Sequence, residues 1–145
     1  MSENRVRVFF YGSYINLDVL AAVDLTPDPS EIEIASVQGF ELCIAPLANL
    51  VASEGSSAYG ILTRATHEEL ERLYAHARDV LGGVYRPEAV VARSEAGVLQ
   101  PALCYVAAEM KPGPASDDYV DRIAGPARRY AFPDWYVQKI ESFRS

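Results

Sequence analysis

The hydrophobic pattern is sharpest near the start of the chain. Val6, Val8 and Phe10 alternate with Arg7 and Phe9, a period of two that predicts a pleated, largely buried strand. The strand stops at Tyr11-Gly12-Ser13, where glycine can take backbone angles that a Cβ forbids. Leu17 to Ala22 then reads as a short apolar helix, with Asn16 as its N-cap. A strand, a glycine turn and a helix start gather backbone N–H groups without carbonyl partners, which suits an anion or a polarised carbonyl oxygen. Taken by itself, the Gly-Ser pair reads first as a simple change of direction.

Further along, Asp24 to Ser30 is a loop rich in proline and aspartate, and Glu31 to Ala45 reads as extended. Ile32, Ile34, Phe40, Leu42 and Ile44 supply its apolar positions, with a bulge expected at Gln38-Gly39. Pro46 to Ser56 reads as irregular, and Ala58 to Thr63 as a short strand whose central Gly60 marks close approach of a backbone or a ligand. Thr66 and Glu69 form a capping box, and Leu70, Leu73, Tyr74 and Ala77 give the helix behind it one buried face. That helix ends before Gly82-Gly83. Val84 to Ala92 and Leu99 to Ala107 pair as a hairpin around Glu95-Ala96-Gly97. Ser116 opens one more helix, and Pro133 opens the last, which runs to Phe143.

The order β, α, β, β, α, β, β, α, α has too few alternating crossovers for a doubly wound parallel sheet. It predicts an α+β domain spanning residues 1–145, with a small, curved, mostly antiparallel β-barrel and flanking helices.

Composition narrows the function. Half of the 145 residues are hydrophobic and 23% are charged, as expected of a globular chain with a real core. A net charge of −7 with no basic stripe argues against nucleic acid and anionic membranes as partners. Cys43 and Cys104 lack CxxC spacing, so two reduced thiols are expected, as in a cytoplasmic protein, with no zinc site. Met1 to Arg5 is polar and lacks the apolar stretch of a secretion signal.

Several chemistries fall away. There is no G-x-S-x-G elbow around Ser13, no P-loop and no G-x-G-x-x-G. His67 and His76 lie nine residues apart on one predicted helix and point to opposite faces, so they do not share a metal. No cofactor is implied. Any catalysis has to come from a carboxylate, tyrosines and backbone donors.

The segment Phe10-Tyr11-Gly12-Ser13-Tyr14-Ile15 resembles the Tyr-Gly-Ser-Asn-Leu loop of the γ-glutamylcyclotransferase-like family, which includes the AIG2-like proteins. The likeness extends to Val37-Gln38-Gly39-Phe40, Asn49-Leu50-Val51, and Ala58-Tyr59-Gly60-Ile61-Leu62 leading into Glu68 to Leu73. Near the C-terminus, Pro126 to Tyr136 resembles a Gly-Ala-x-x-x-Gly-Leu-Pro-x-x-Tyr signature, with the first glycine displaced to Gly125. The resemblance implies a γ-glutamylcyclotransferase-like fold with a polar cavity at one end. It also implies a small γ-glutamyl or related amide ligand held by Tyr11, Gly12, Ser13, Tyr14, Ile15 and Tyr85. In active members a glutamate deprotonates the α-amino group, which attacks the γ-carbonyl and releases 5-oxoproline. Ring closure gains from proximity, and backbone donors stabilise the oxyanion.

The chain departs from that pattern where the chemistry sits. Leu73-Tyr74-Ala75-His76-Ala77-Arg78 replaces Leu-Asp-x-x-Glu-Gly, so the position of the base is Ala77, and Tyr14 stands where the family has Asn. An alanine takes no proton, and an ammonium has no lone pair for attack. Glu88 is the first substitute to consider, then Asp79 and His76, although strand alternation turns Glu88 away from a cavity faced by Tyr85. Two readings follow. One is a cyclotransferase with a displaced base; the other is a catalytically silent binding or interaction module.

Overall fold

A computed structural model describes residues 4–144. The expectation about a leader at Met1 to Arg5 falls largely outside them. Five strands, β1 (Arg5–Phe10), β2 (Glu33–Ile44), β3 (Ala48–Thr66), β4 (Arg86–Ser94) and β5 (Leu99–Val106), form a curved sheet in the order β1-β3-β2-β4-β5. Four of its ladders include β1 with β3, β2 with β3, β2 with β4 and β4 with β5, all antiparallel. The order closes on itself through a short parallel ladder, Val8 opposite Leu103 and Phe9 opposite Cys104.

Helices α1 (Leu17–Ala21), α2 (His67–His76), α3 (Asp117–Arg129) and α4 (Asp134–Glu141) flank this sheet. The result is the mixed α+β architecture that the order of elements predicts. No helix among the described residues is long and apolar enough to cross a membrane.

Local signals explain most of the boundaries. Thr66 and Glu69 close the capping box of α2 reciprocally, at 3.1 and 2.8 Å. Asn16 caps α1 through bonds to the amides of Asp18 and Val19. Its Nδ2 also donates to the Arg122 carbonyl at 3.1 Å. That carbonyl lies one turn before Pro126, which sits inside α3 and has no N–H to offer it. The proline therefore leaves an acceptor that Asn16 fills, which ties the loop after β1 to α3.

One expectation needs correction. Residues 46–56 are not irregular, because β3 begins at Ala48 and runs unbroken to Thr66. The turn-like cluster Glu54-Gly55-Ser56 is a bulge: Gln38 faces Ser57 and Phe40 faces Ala52, so several residues of β3 oppose Gly39 alone. Gly39 and Gly55 both have positive φ, at 84° and 83°. Chain reversal happens earlier, at the cis Ala45-Pro46 bond. Gly60 meets a backbone and not a ligand, since a Cβ there would lie 2.0 Å from the Phe10 carbonyl oxygen.

Candidate functional site

The loop that follows β1 is a turn of 3-10 helix, Ser13–Ile15, preceded by Tyr11 and Gly12 and followed by Asn16. No side chain caps this turn. Gly12 packs against β3 so closely that a Cβ there would lie 2.6 Å from the Cβ of Ala48. Ala48 is in turn held at both ends of its backbone. Its N–H donates to the Tyr119 hydroxyl at 3.0 Å, and its carbonyl accepts from the Tyr85 hydroxyl at 2.5 Å. Ser13 also hydrogen-bonds the Tyr119 side chain.

Tyrosines complete the enclosure. Tyr11 donates to the Tyr105 carbonyl at 2.7 Å, and Tyr14 donates to the Leu73 carbonyl of α2 at 3.2 Å. Tyr74 stacks on Tyr105 with ring centroids 3.9 Å apart and meets the edge of Tyr14 at 5.5 Å. Between these rings, the Gly12-Ser13 loop, Ala77 and Leu81 lies a cavity of about 30 Å³. That space is of the order needed for a water molecule and well below an ordinary ligand pocket.

The electrostatics are those of a neutral, donor-lined enclosure. Burial pushes the hydroxyls of Tyr14 and Tyr85 far above the ordinary tyrosine value, with neighbouring tyrosines adding to the effect. Tyr11 and Tyr74 move the same way for the same reason. Burial also raises Tyr119, while bonds from Ala48 and Ser13 act in the opposite direction. Such groups stay protonated at neutral pH and serve as hydrogen-bond donors or acceptors. They do not serve as bases.

Tyr11, Gly12, Ser13, Tyr14 and Tyr85 all border the cavity, and so does Ala77, which is 1% exposed. Ile15 is buried elsewhere, with its carbonyl accepting from Tyr130 at 3.3 Å. Glu88 is exposed on β4 opposite Cys104 and does not border the cavity. Burial first, and the Glu88 charge second, push the Cys104 thiol up to about 12. Asp79 is exposed and paired with Arg78 at 2.9 Å. The Nδ1 of His76 is buried without a partner, and the ring does not border the cavity. Among the described residues, no group of His, Cys, Asp and Glu is arranged to hold a metal ion.

Sequence reasoning missed Phe10, Ala48, Tyr74, Leu81, Tyr105 and Tyr119 as lining residues. Tyr74 carried a signal, since it occupies the first of the two lost acidic positions. Tyr119 carried none, because only the docking of α3 brings it to the loop.

No family model and no curated protein matches the sequence. Solved structures match its fold. This is the γ-glutamyl cyclotransferase-like fold. A γ-glutamyl cyclotransferase superposes with a TM-score of 0.76 at 20% identity, covering 96% of this chain and 88% of that one. An AIG2-like protein from Mus musculus gives 0.59 at 18%, covering 75% and 81%. A yeast γ-glutamyl cyclotransferase specific to glutathione gives 0.62 at 12%, covering 98% and 96%.

Proposed function

We propose that this chain is a γ-glutamyl cyclotransferase-like protein that does not cyclise γ-glutamyl compounds and instead holds a small amide at the Tyr11–Tyr14 loop. The observation that carries this reading is the lining of the cavity: it has backbone groups and tyrosine hydroxyls but no carboxylate. Cyclisation needs a neutral amine, and nothing that borders the cavity removes the proton. A charged amino-acid head would also be buried there without a counter-charge, which is costly.

An uncharged amide suits the same groups. The Leu73 and Ala48 carbonyls are served by the hydroxyls of Tyr14 and Tyr85. A ligand N–H can take over either carbonyl when the corresponding ring swings aside. The ligand's carbonyl oxygen would face the opening amides of the 3-10 turn, which no side chain caps. Because the enclosure is small, entry requires that ring movement.

Incubation with γ-glutamyl amino acids, γ-glutamyl amines and glutathione, with 5-oxoproline measured directly, tests the catalytic half. No release is expected, and release by wild-type protein that is lost in Glu88→Gln would establish the displaced-base enzyme instead. Thermal denaturation with propanamide and with L-glutamine tests the binding half. A saturable rise in Tm is expected with propanamide, and no response to either compound would remove the ligand from this reading.

A further inference from the structure

Arg7 on β1 and Arg64 on β3 are direct cross-strand partners, so their side chains leave the same face of the sheet. Both border a recess of about 230 Å³ below the turn at Ser30 and Glu31. It lies beyond Leu62, where the ladder between β3 and β2 ends. Along β1 it is five residues from Gly12, or about 16 Å of extended strand, so it is separate from the tyrosine cavity.

Like charges placed directly opposite each other on a sheet are destabilising. Of the two carboxylates that also border the recess, neither is ion-paired with Arg7 or Arg64. Glu31 is engaged by Arg5 at 2.8 Å, while Glu33 accepts from the neutral Gln100 amide at 3.0 Å and keeps its own charge at the rim of the recess. Among the described residues, neither Arg7 nor Arg64 makes a salt bridge. Thr63 also borders the recess and its buried Oγ1 lacks a partner, but strand alternation sends it to the opposite face from Arg64.

We infer that Arg7 and Arg64 form a second ligand site, one that binds a small oxyanion, carboxylate or phosphate, between their guanidinium groups. A guanidinium presents a planar fork of donors that matches either oxyanion, and an anion between two of them removes their mutual repulsion. The recess is large enough for a phosphate or a short carboxylic acid. This site does not depend on what the Gly12 loop binds.

The test is thermal denaturation and calorimetric titration with inorganic phosphate and, separately, succinate. Chloride holds the ionic strength constant. Wild-type protein and an Arg129→Gln control are expected to show a saturable rise in Tm with at least one of the two anions. Which anion acts identifies the chemical source of the ligand. Arg7→Gln or Arg64→Gln should each weaken binding roughly tenfold or more, since each removes charge-assisted hydrogen bonds, and the double variant should lose it. Arg64 is exposed, so its single replacement keeps the test valid if the double variant folds poorly. Absence of a saturable response to both anions, or a response undiminished in Arg64→Gln, would overturn the site.

Discussion

Gly12 and Ala48 touch so closely that the contact by itself requires glycine at position 12. A methyl added at Gly12 would lie 2.6 Å from the Ala48 Cβ. The loop is therefore seated on β3, and Ala48 is fixed beneath it by Tyr85 and Tyr119.

Gly12→Ala is expected to destabilise the protein by about 1–3 kcal/mol, the range for overpacking a close contact. Ala48→Gly removes the opposing methyl. Urea unfolding of the two single variants and the double variant checks the coupling: the double should recover most of the loss. Strict additivity of the two single effects would mean that the contact is not the cause.

How much of this was legible beforehand differs between fold and site. The order of elements followed from Val6 to Phe10, the Thr66–Glu69 capping box and the Ser116 start, because each is a local signal that tertiary packing leaves in place. The region from Pro46 to Ser56 was misread because Gly55 has the composition of a turn, whereas here it relieves a bulge opposite Gly39. The loop at Gly12 was legible as a special place. Its enclosure was not. Tyr85 is implied by the family resemblance, but Tyr74 and Tyr119 reach the loop from α2 and α3, and no local pattern states that these helices meet there.

Tyr14 joins the loop to α2 by two kinds of contact that can be separated. Its hydroxyl bonds the Leu73 carbonyl, which also accepts from the Ala77 N–H within the helical turn. Tyr14→Phe should therefore cost only about 0.5–1.5 kcal/mol, the net worth of a hydrogen bond. Tyr14→Ala also removes edge contacts with Phe10 and Tyr74, and should cost about 3–5 kcal/mol. Phenol should raise the Tm of Tyr14→Ala and leave that of wild type unchanged, because only the variant has room for a ring.

The buried tyrosines set a limit on alkaline stability. Burial raises the folded-state values of Tyr11, Tyr14, Tyr74 and Tyr85 above the unfolded value of about 10. The unfolded chain then releases protons that the folded chain keeps, so stability falls as pH rises. Their contribution is fully present below pH about 10 and is lost progressively above it, as pH approaches the raised folded values. Tyrosinate absorbance from these residues should appear together with the loss of near-ultraviolet circular dichroism. Ionisation of all nine tyrosines near pH 10 with the fold intact would contradict the enclosure.

Ala77 separates two explanations for the silence proposed above: a missing base, or a cavity that admits no substrate. Ala77→Glu places a carboxylate where the residue is 1% exposed, among tyrosines and without a cationic partner. Desolvation should raise that carboxyl above the unfolded value of about 4.3. The folded variant then holds a proton that the unfolded chain releases, so its stability should decrease as pH rises from about 4.3 to the raised value. Urea midpoints of Ala77→Glu relative to wild type, measured at pH 5 and pH 8, should differ more at pH 8. No 5-oxoproline is expected from this variant, because Tyr14 and Tyr85 still occupy the space that a γ-glutamyl group needs. The combined variant Ala77→Glu with Tyr14→Asn restores both the base and the residue type of the resembling loop. Release by the combined variant alone would show that the tyrosine, as well as the alanine, keeps the site silent. Release by Ala77→Glu alone would show that the cavity opens without replacement of Tyr14.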